Sequence, residues 1–188
     1  VAGVPENIDS VSQNYLRQES LLAMNSCMIY AALAAIDCWR DAGFDYAVDG
    51  SKTHNVDWDT GAIIGTGVGG AETLGGKVTP RVDSGKVKRL GSTAVEQTMA
   101  SAPSANVGGL LGLGGKVTTN SSACTTGREA VANGFYQIRQ GRARRMLVGG
   151  TEANSPYISG GFDAMRVLAR DHNDRPEQAS RPMSASAC

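Results

Sequence analysis

The stretch VTTNSSACTTGRE, Val117 to Glu129, places a single cysteine at the seam between two kinds of local structure. Before it, strand-favouring residues predict a strand over Lys116–Asn120; after it, the pattern predicts a helix over about Thr125–Gln140. A thiol at a helix N-terminus faces the positive end of the macrodipole and unpaired backbone N–H groups, which favour a thiolate. A sharp strand-to-helix turn also holds a nucleophile out from the backbone, and the N–H of Cys124 is itself a candidate oxyanion donor. Ser121, Ser122, Ala123 and Thr125 are small enough to leave room for an acyl group. An inert buried cysteine accounts for the same local pattern, so the surroundings must decide.

Around this stretch the chain alternates strands and helices. Leu21, Met24, Met28, Ala32, Ile36 and Trp39 recur at helical spacing within a helix expected over about Leu16–Ala42, and its alanines predict close packing on another element. Residues 1–15 are expected to be irregular. GAIIGTGVGG, from Gly61, reads as a short buried strand and a glycine-rich turn, and RRMLVGG at 144–150 as another buried strand. Residues 71–90 read as a basic excursion. Helices are expected over about Ser92–Ser101, over Pro103–Leu113 with Gly114–Gly115 as the stop, and from Gly160 after a turn region. On the helix after Cys124, Val131, Phe135 and Ile138 form an apolar stripe. The fold class implied is α/β, with helices covering a largely buried sheet.

Composition narrows the function. The 188 residues suit one domain and carry 18 basic and 18 acidic side chains, so a nucleic-acid partner is not expected. No apolar run is long enough for a membrane span, and no secretory leader is visible. Cys27, Cys38, Cys124 and Cys188 show no CxxC spacing, which argues against a zinc site and for free thiols in a reducing, cytoplasmic setting. GTGVGG matches GxGxxG at Gly65, Gly67 and Gly70, the dinucleotide fingerprint. The helix that should open at the last glycine is not evident before Gly75, Gly76 and Pro80, and Asp83 lies in loop-like sequence, so the match is weak. His54 and His172 sit in charged surroundings and read as surface histidines, which leaves Cys124 without an evident base. Arg139, Arg142, Arg144 and Arg145 read as a solvated group at a helix end.

SSACTTG at 121–127 resembles the nucleophile segment of the beta-ketoacyl-acyl-carrier-protein synthases, the condensing enzymes of fatty acid and polyketide synthesis. MIYAALAAIDCWRDAGF (28–44), IIGTGVGG (63–70), MASAPSANV (99–107), LVGGTEA (147–153), GFDAMRVLA (161–169) and RPEQASRPM (175–183) agree in order and spacing. The resemblance covers nearly the whole chain and is closest to the dimeric, elongating types. It implies a thiolase-like, layered α-β-α-β-α fold, incomplete here, with residues 1–188 forming most of its N-terminal half. It implies that Cys124 accepts the acyl chain from carrier protein as a thioester, which then condenses with a malonyl unit that loses carbon dioxide. Val68, Met99, Ala123 and Phe162 match the acyl pocket. No metal or cofactor is expected. The implied partners are acyl carrier protein, a second ketosynthase subunit in a homodimer or heterodimer, and the remaining half of the fold. The glycine-rich segment fits the family's strand end better than a dinucleotide site.

The family's first strand has no counterpart before Val1. The chain reaches Cys188 where the family continues into a second half-domain carrying two histidines and a glycine-rich loop, and neither His54 nor His172 matches those histidines. The segment RQESLLAM carries Glu19 and Leu22 where the family often shows basic residues for carrier protein, leaving Lys86 and Lys88 as docking candidates. A non-condensing scaffold or specificity subunit of the same fold is the nearest alternative, and a dinucleotide-binding α/β domain the more distant one.

Overall fold

The computed structural model describes residues 3–48 and 55–185. His54 and Cys188 lie outside that range. Three helices come first: the short α1 (Ile8–Ser12) and α2 (Gln18–Ala23) and the long α3 (Ser26–Asp41). Strand β1 (Thr60–Gly65) follows, then a helical run made of α4 (Ala71–Thr73), a π-helical turn over Leu74–Val78 and α5 (Thr79–Asp83). After α6 (Ala94–Thr98) and α7 (Ala102–Leu111) come β2 (Val117–Thr118), α8 (Thr126–Arg139), β3 (Arg145–Gly150) and α9 (Pro156–Ala164).

The strands form one parallel sheet in the order β2-β1-β3. Ala62 lies opposite Val117, and Thr60 to Gly65 run in register with Arg145 to Gly150. All six residues of central β1 are buried, as expected for a parallel strand covered on both faces. On one face Ala62 and Ile64 join a core with Met28, Ala32 and Ile36 of α3 and Val107 and Leu111 of α7. Burial of each large side chain in that core contributes about 1.5–3 kcal/mol. The Ser104 hydroxyl of α7 lies 2.8 Å from both Ile64 O and Thr118 O, which ties the helix to the ends of β1 and β2. On the other face α8 packs closely, because a Cβ at Gly134 would stand 2.4 Å from Val148 Cγ1. The layered α/β expectation holds.

Several expected boundaries shift. The long first helix is two, because Asn25 breaks it and caps α3: its Oδ1 accepts from Met28 N at 3.0 Å and its amide donates to Gln97 O at 2.7 Å. A short helix, α1, occupies part of the segment expected to be irregular. Residues 71–83, expected as a loop-like excursion, are helical with a π turn, where Gly75 makes room for the Tyr157 ring. Helix α7 stops at Gly112, which takes a left-handed φ of 66°, two residues before the expected stop. Helix α9 begins at Pro156, capped by the Ser155 hydroxyl, not at Gly160. The stripe Val131, Phe135 and Ile138 faces outward, and α8 buries instead its small side, Thr126, Ala130 and Gly134. Small residues win that face because they allow the closest approach to the sheet.

Candidate functional site

The turn from β2 into α8 is built by short polar side chains. Ser122 N donates to Thr126 Oγ1 at 2.8 Å, and the Thr125 hydroxyl returns to Ser122 O at 2.8 Å. The Asn120 amide donates to Thr126 O at 2.9 Å, and Asn120 O accepts from Thr66 N at 3.2 Å, which pins the turn to the end of β1. Between these anchors Ala123 is forced to a φ of 50°, a left-handed conformation that a residue with a Cβ adopts only under constraint. Cys124 follows in a single 3-10 turn, Ala123–Thr125, directly before the N-terminus of α8. The sharp turn expected from the sequence is therefore present, and the Cys124 thiol is exposed and free.

Cys124 lines an open cleft of about 390 Å³ with Gly67, Ala123, Gly127, Thr151 and Glu152. The floor depends on close backbone packing. A Cβ at Gly65 would sit 2.1 Å from Thr126 Cγ2 and 2.8 Å from Asn120 O, so only glycine fits under the turn. Of the acyl-pocket candidates, Ala123 is in the cleft wall and Val68 is the residue after Gly67. Met99 precedes Ala100, whose Cα would lie 3.2 Å from a Cβ on Gly69, so Val68 and Met99 belong to adjoining loops. Phe162 stands on α9 and is not among the residues lining the cleft. Val68, Met99 and Phe162 all stay about half exposed. Lys86 and Lys88 are exposed beyond α5, at the 3-10 turn Val87–Arg89.

The end of β1 is organised by a residue that the sequence pattern does not single out. One carboxylate oxygen of Glu152 accepts from Gly67 N at 2.8 Å and Val68 N at 3.2 Å. Its other oxygen accepts from the Thr66 hydroxyl at 3.1 Å, and Thr66 Oγ1 in turn accepts from Gly69 N at 3.1 Å. A helix does open after Gly70, contrary to the expectation that weakened the dinucleotide fingerprint. The first N–H groups of the glycine-rich turn nevertheless face the chain's own carboxylate instead of open space for a pyrophosphate. No local pattern marks Glu152, since its partners lie more than eighty residues away in the sequence.

His172 corrects the surface assignment. It is buried, and its Nε2 lies 3.3 Å from Arg181 Nη2, in the tail and not in the wall of the Cys124 cleft. Cys27 is also buried, and that burial pushes its thiol up from the ordinary cysteine range. Cys38 is exposed and free, so Cys27, Cys38 and Cys124 are all unpaired thiols. Arg145 stays partly exposed but is not a free charge at a helix end: it lies in β3, pairs with Asp57 at 2.8 Å and donates to the Thr60 hydroxyl at 2.8 Å, bracing the starts of β1 and β3. Among the described residues no helix is long and apolar enough to cross a membrane.

Residues 3–186 match the family described as Beta-ketoacyl synthase, N-terminal domain. The chain is 28% identical over 182 residues to the 3-oxoacyl-acyl-carrier-protein synthase 2 of Vibrio harveyi, covering 96% of this chain and 41% of that protein. It is 32% identical over 165 residues to Nodulation protein E of Rhizobium sp. (strain N33), covering 87% of this chain and 39% of the relative. The chain thus spans about two fifths of the length of these relatives. A crystal structure of a beta-ketoacyl synthase from Burkholderia phymatum STM815 superimposes with a TM-score of 0.76 at 24% identity, covering 100% of this chain and 42% of that one. The shared fold is thiolase-like, and the three-stranded sheet with its helices is this chain's part of it.

Proposed function

This chain belongs to the beta-ketoacyl synthase family, and we propose that Cys124 is the nucleophile of a decarboxylating condensation in fatty acid or polyketide synthesis. The observation that carries the proposal is the placement of an exposed thiol behind a left-handed Ala123, at the mouth of an open cleft and the start of α8. The Cys124 sulfur attacks the carbonyl carbon of an acyl thioester on carrier protein. A new C–S bond forms, the bond to the carrier's sulfur breaks, and the carrier leaves as its thiol with the proton that Cys124 gave up. A malonyl-carrier protein then loses carbon dioxide, and the electron pair left on its α-carbon attacks the Cys124 thioester. The new C–C bond releases the β-ketoacyl product on the carrier and returns the Cys124 thiolate.

Within this scheme Val68, Met99, Ala123 and Phe162 line the acyl chain's path, and Lys86 and Lys88 offer positive charge to an acidic carrier protein. The groups that promote decarboxylation belong to a second half-domain, which also covers the outer face of α8. The working unit is a ketosynthase dimer in the cytoplasm. Support for the carrier protein comes from the name of the Vibrio relative, and support for catalysis over a scaffold role comes from the thiol itself. The test is Cys124→Ala in the assembled synthase. Transfer of a labelled acyl group from carrier protein to the synthase is expected to vanish, and transfer at an unchanged rate would remove Cys124 from the chemistry.

A further inference from the structure

We infer that Glu152 is a positioning residue that sets acyl-chain selectivity by fixing the turn that carries Val68. This role rests on the proposed acylation of Cys124. Three successive N–H groups point into the concave side of the 66–69 turn. Glu152 takes those of Gly67 and Val68 directly, and holds that of Gly69 through the Thr66 hydroxyl. Charge-assisted bonds of this kind are about twice as strong as neutral ones. The turn is also touched from the other side, because the Ser121 hydroxyl donates to Gly67 O at 3.3 Å. Glu152 leaves β3 through Thr151, whose hydroxyl donates to Cys27 O at 2.9 Å, so its base is anchored to α3. The backbone that carries Val68 is therefore held at the end of β3 by a carboxylate whose own backbone is braced. Without it the Gly67 and Val68 N–H groups would turn to water and the Thr66 hydroxyl would lose its acceptor, and the turn would gain freedom at the wall of the cleft.

Two substitutions disturb this contact from opposite sides. Glu152→Gln keeps the shape but replaces one acceptor oxygen with a donor. Gly67→Ala leaves the carboxylate chemically intact, yet its Cβ would meet Glu152 Oε2 at 2.7 Å and touch no other group closely, so it displaces the carboxylate. In the assembled synthase, loading of Cys124 from short-chain and long-chain acyl-carrier-protein thioesters is followed by mass spectrometry, with iodoacetamide alkylation of Cys124 alongside. Each variant is expected to load the long chain about tenfold more slowly and the short chain about twofold, the scale of one charge-assisted hydrogen bond. Alkylation stays within about twofold of the unsubstituted protein, and the double variant is no slower than the worse single variant, since both act through one contact. An unchanged long-to-short ratio in both variants, or losses that multiply in the double variant, would overturn the role. If the unsubstituted protein takes up iodoacetamide at Cys124 but no acyl group, the condensing function itself fails, and this role falls with it.

Discussion

Ala123 sits in a left-handed backbone one residue before the thiol, and that strain is held by the Ser122, Thr125 and Thr126 hydrogen bonds. Ala123→Gly relieves about 1 kcal/mol of strain but loosens the unfolded chain by a similar amount. Urea unfolding is therefore expected to shift by less than about 0.5 kcal/mol. A loss above about 1.5 kcal/mol would show that the turn is not strained. Gly65→Ala offers no such cancellation, because its Cβ would strike Thr126 and the Asn120 backbone. It should cost about 2–3 kcal/mol and lower Cys124 reactivity as the turn is pushed outward. The thiols should differ as well. Iodoacetamide should modify exposed Cys124 well before buried Cys27, and equal rates would contradict the burial assigned here.

At the scale of elements, the starts of β1 and β3 share one charged brace. Hydrogen bonding from the Thr60 hydroxyl, with the Arg145 guanidinium second, holds the Asp57 carboxyl below the usual carboxylate range. A depressed folded value means that the contribution is present above the unfolded value and lost as pH falls through the folded one. Asp57→Asn should accordingly lose stability near neutral pH yet show a flatter decline below about pH 4. An unchanged acid profile would mean that the brace carries no folding energy. The same elements show what the sequence could reveal. The GAIIG strand and the Met28, Ala32, Ile36 face were legible because a strand buried on both sides leaves a continuous apolar run, and a helix buried on one side leaves a periodic one. The side that α8 presents to the sheet was not, since glycine and alanine packing carries no hydrophobic signal. The helix over 71–83 was hidden by two glycines that serve a π turn against Tyr157. The position of Cys124 could be read from local pattern, whereas Glu152 and its turn exist only through strand pairing.

Across the molecule, the outward stripe of α8 is an apolar surface left exposed among the described residues. Val131, Phe135 and Ile138 are each about half exposed beside Cys124's own helix, and side chains of that kind are seldom left uncovered over a continuous face. With a second half-domain against α8, Phe135→Asp should cost the assembled synthase about 3 kcal/mol or more by thermal unfolding. A neutral effect there would mean that the face stays open to water. That packing bears on stability, whereas the role of the cleft depends on the thiol accepting the acyl group. The most direct measurement is to expose the assembled protein to acyl-carrier-protein thioester, digest it, and locate the added acyl mass. It is expected on the peptide that contains Cys124 and absent from the Cys124→Ala protein. An acyl mass on Cys38 or another residue, with Cys124 unmodified, would contradict the account.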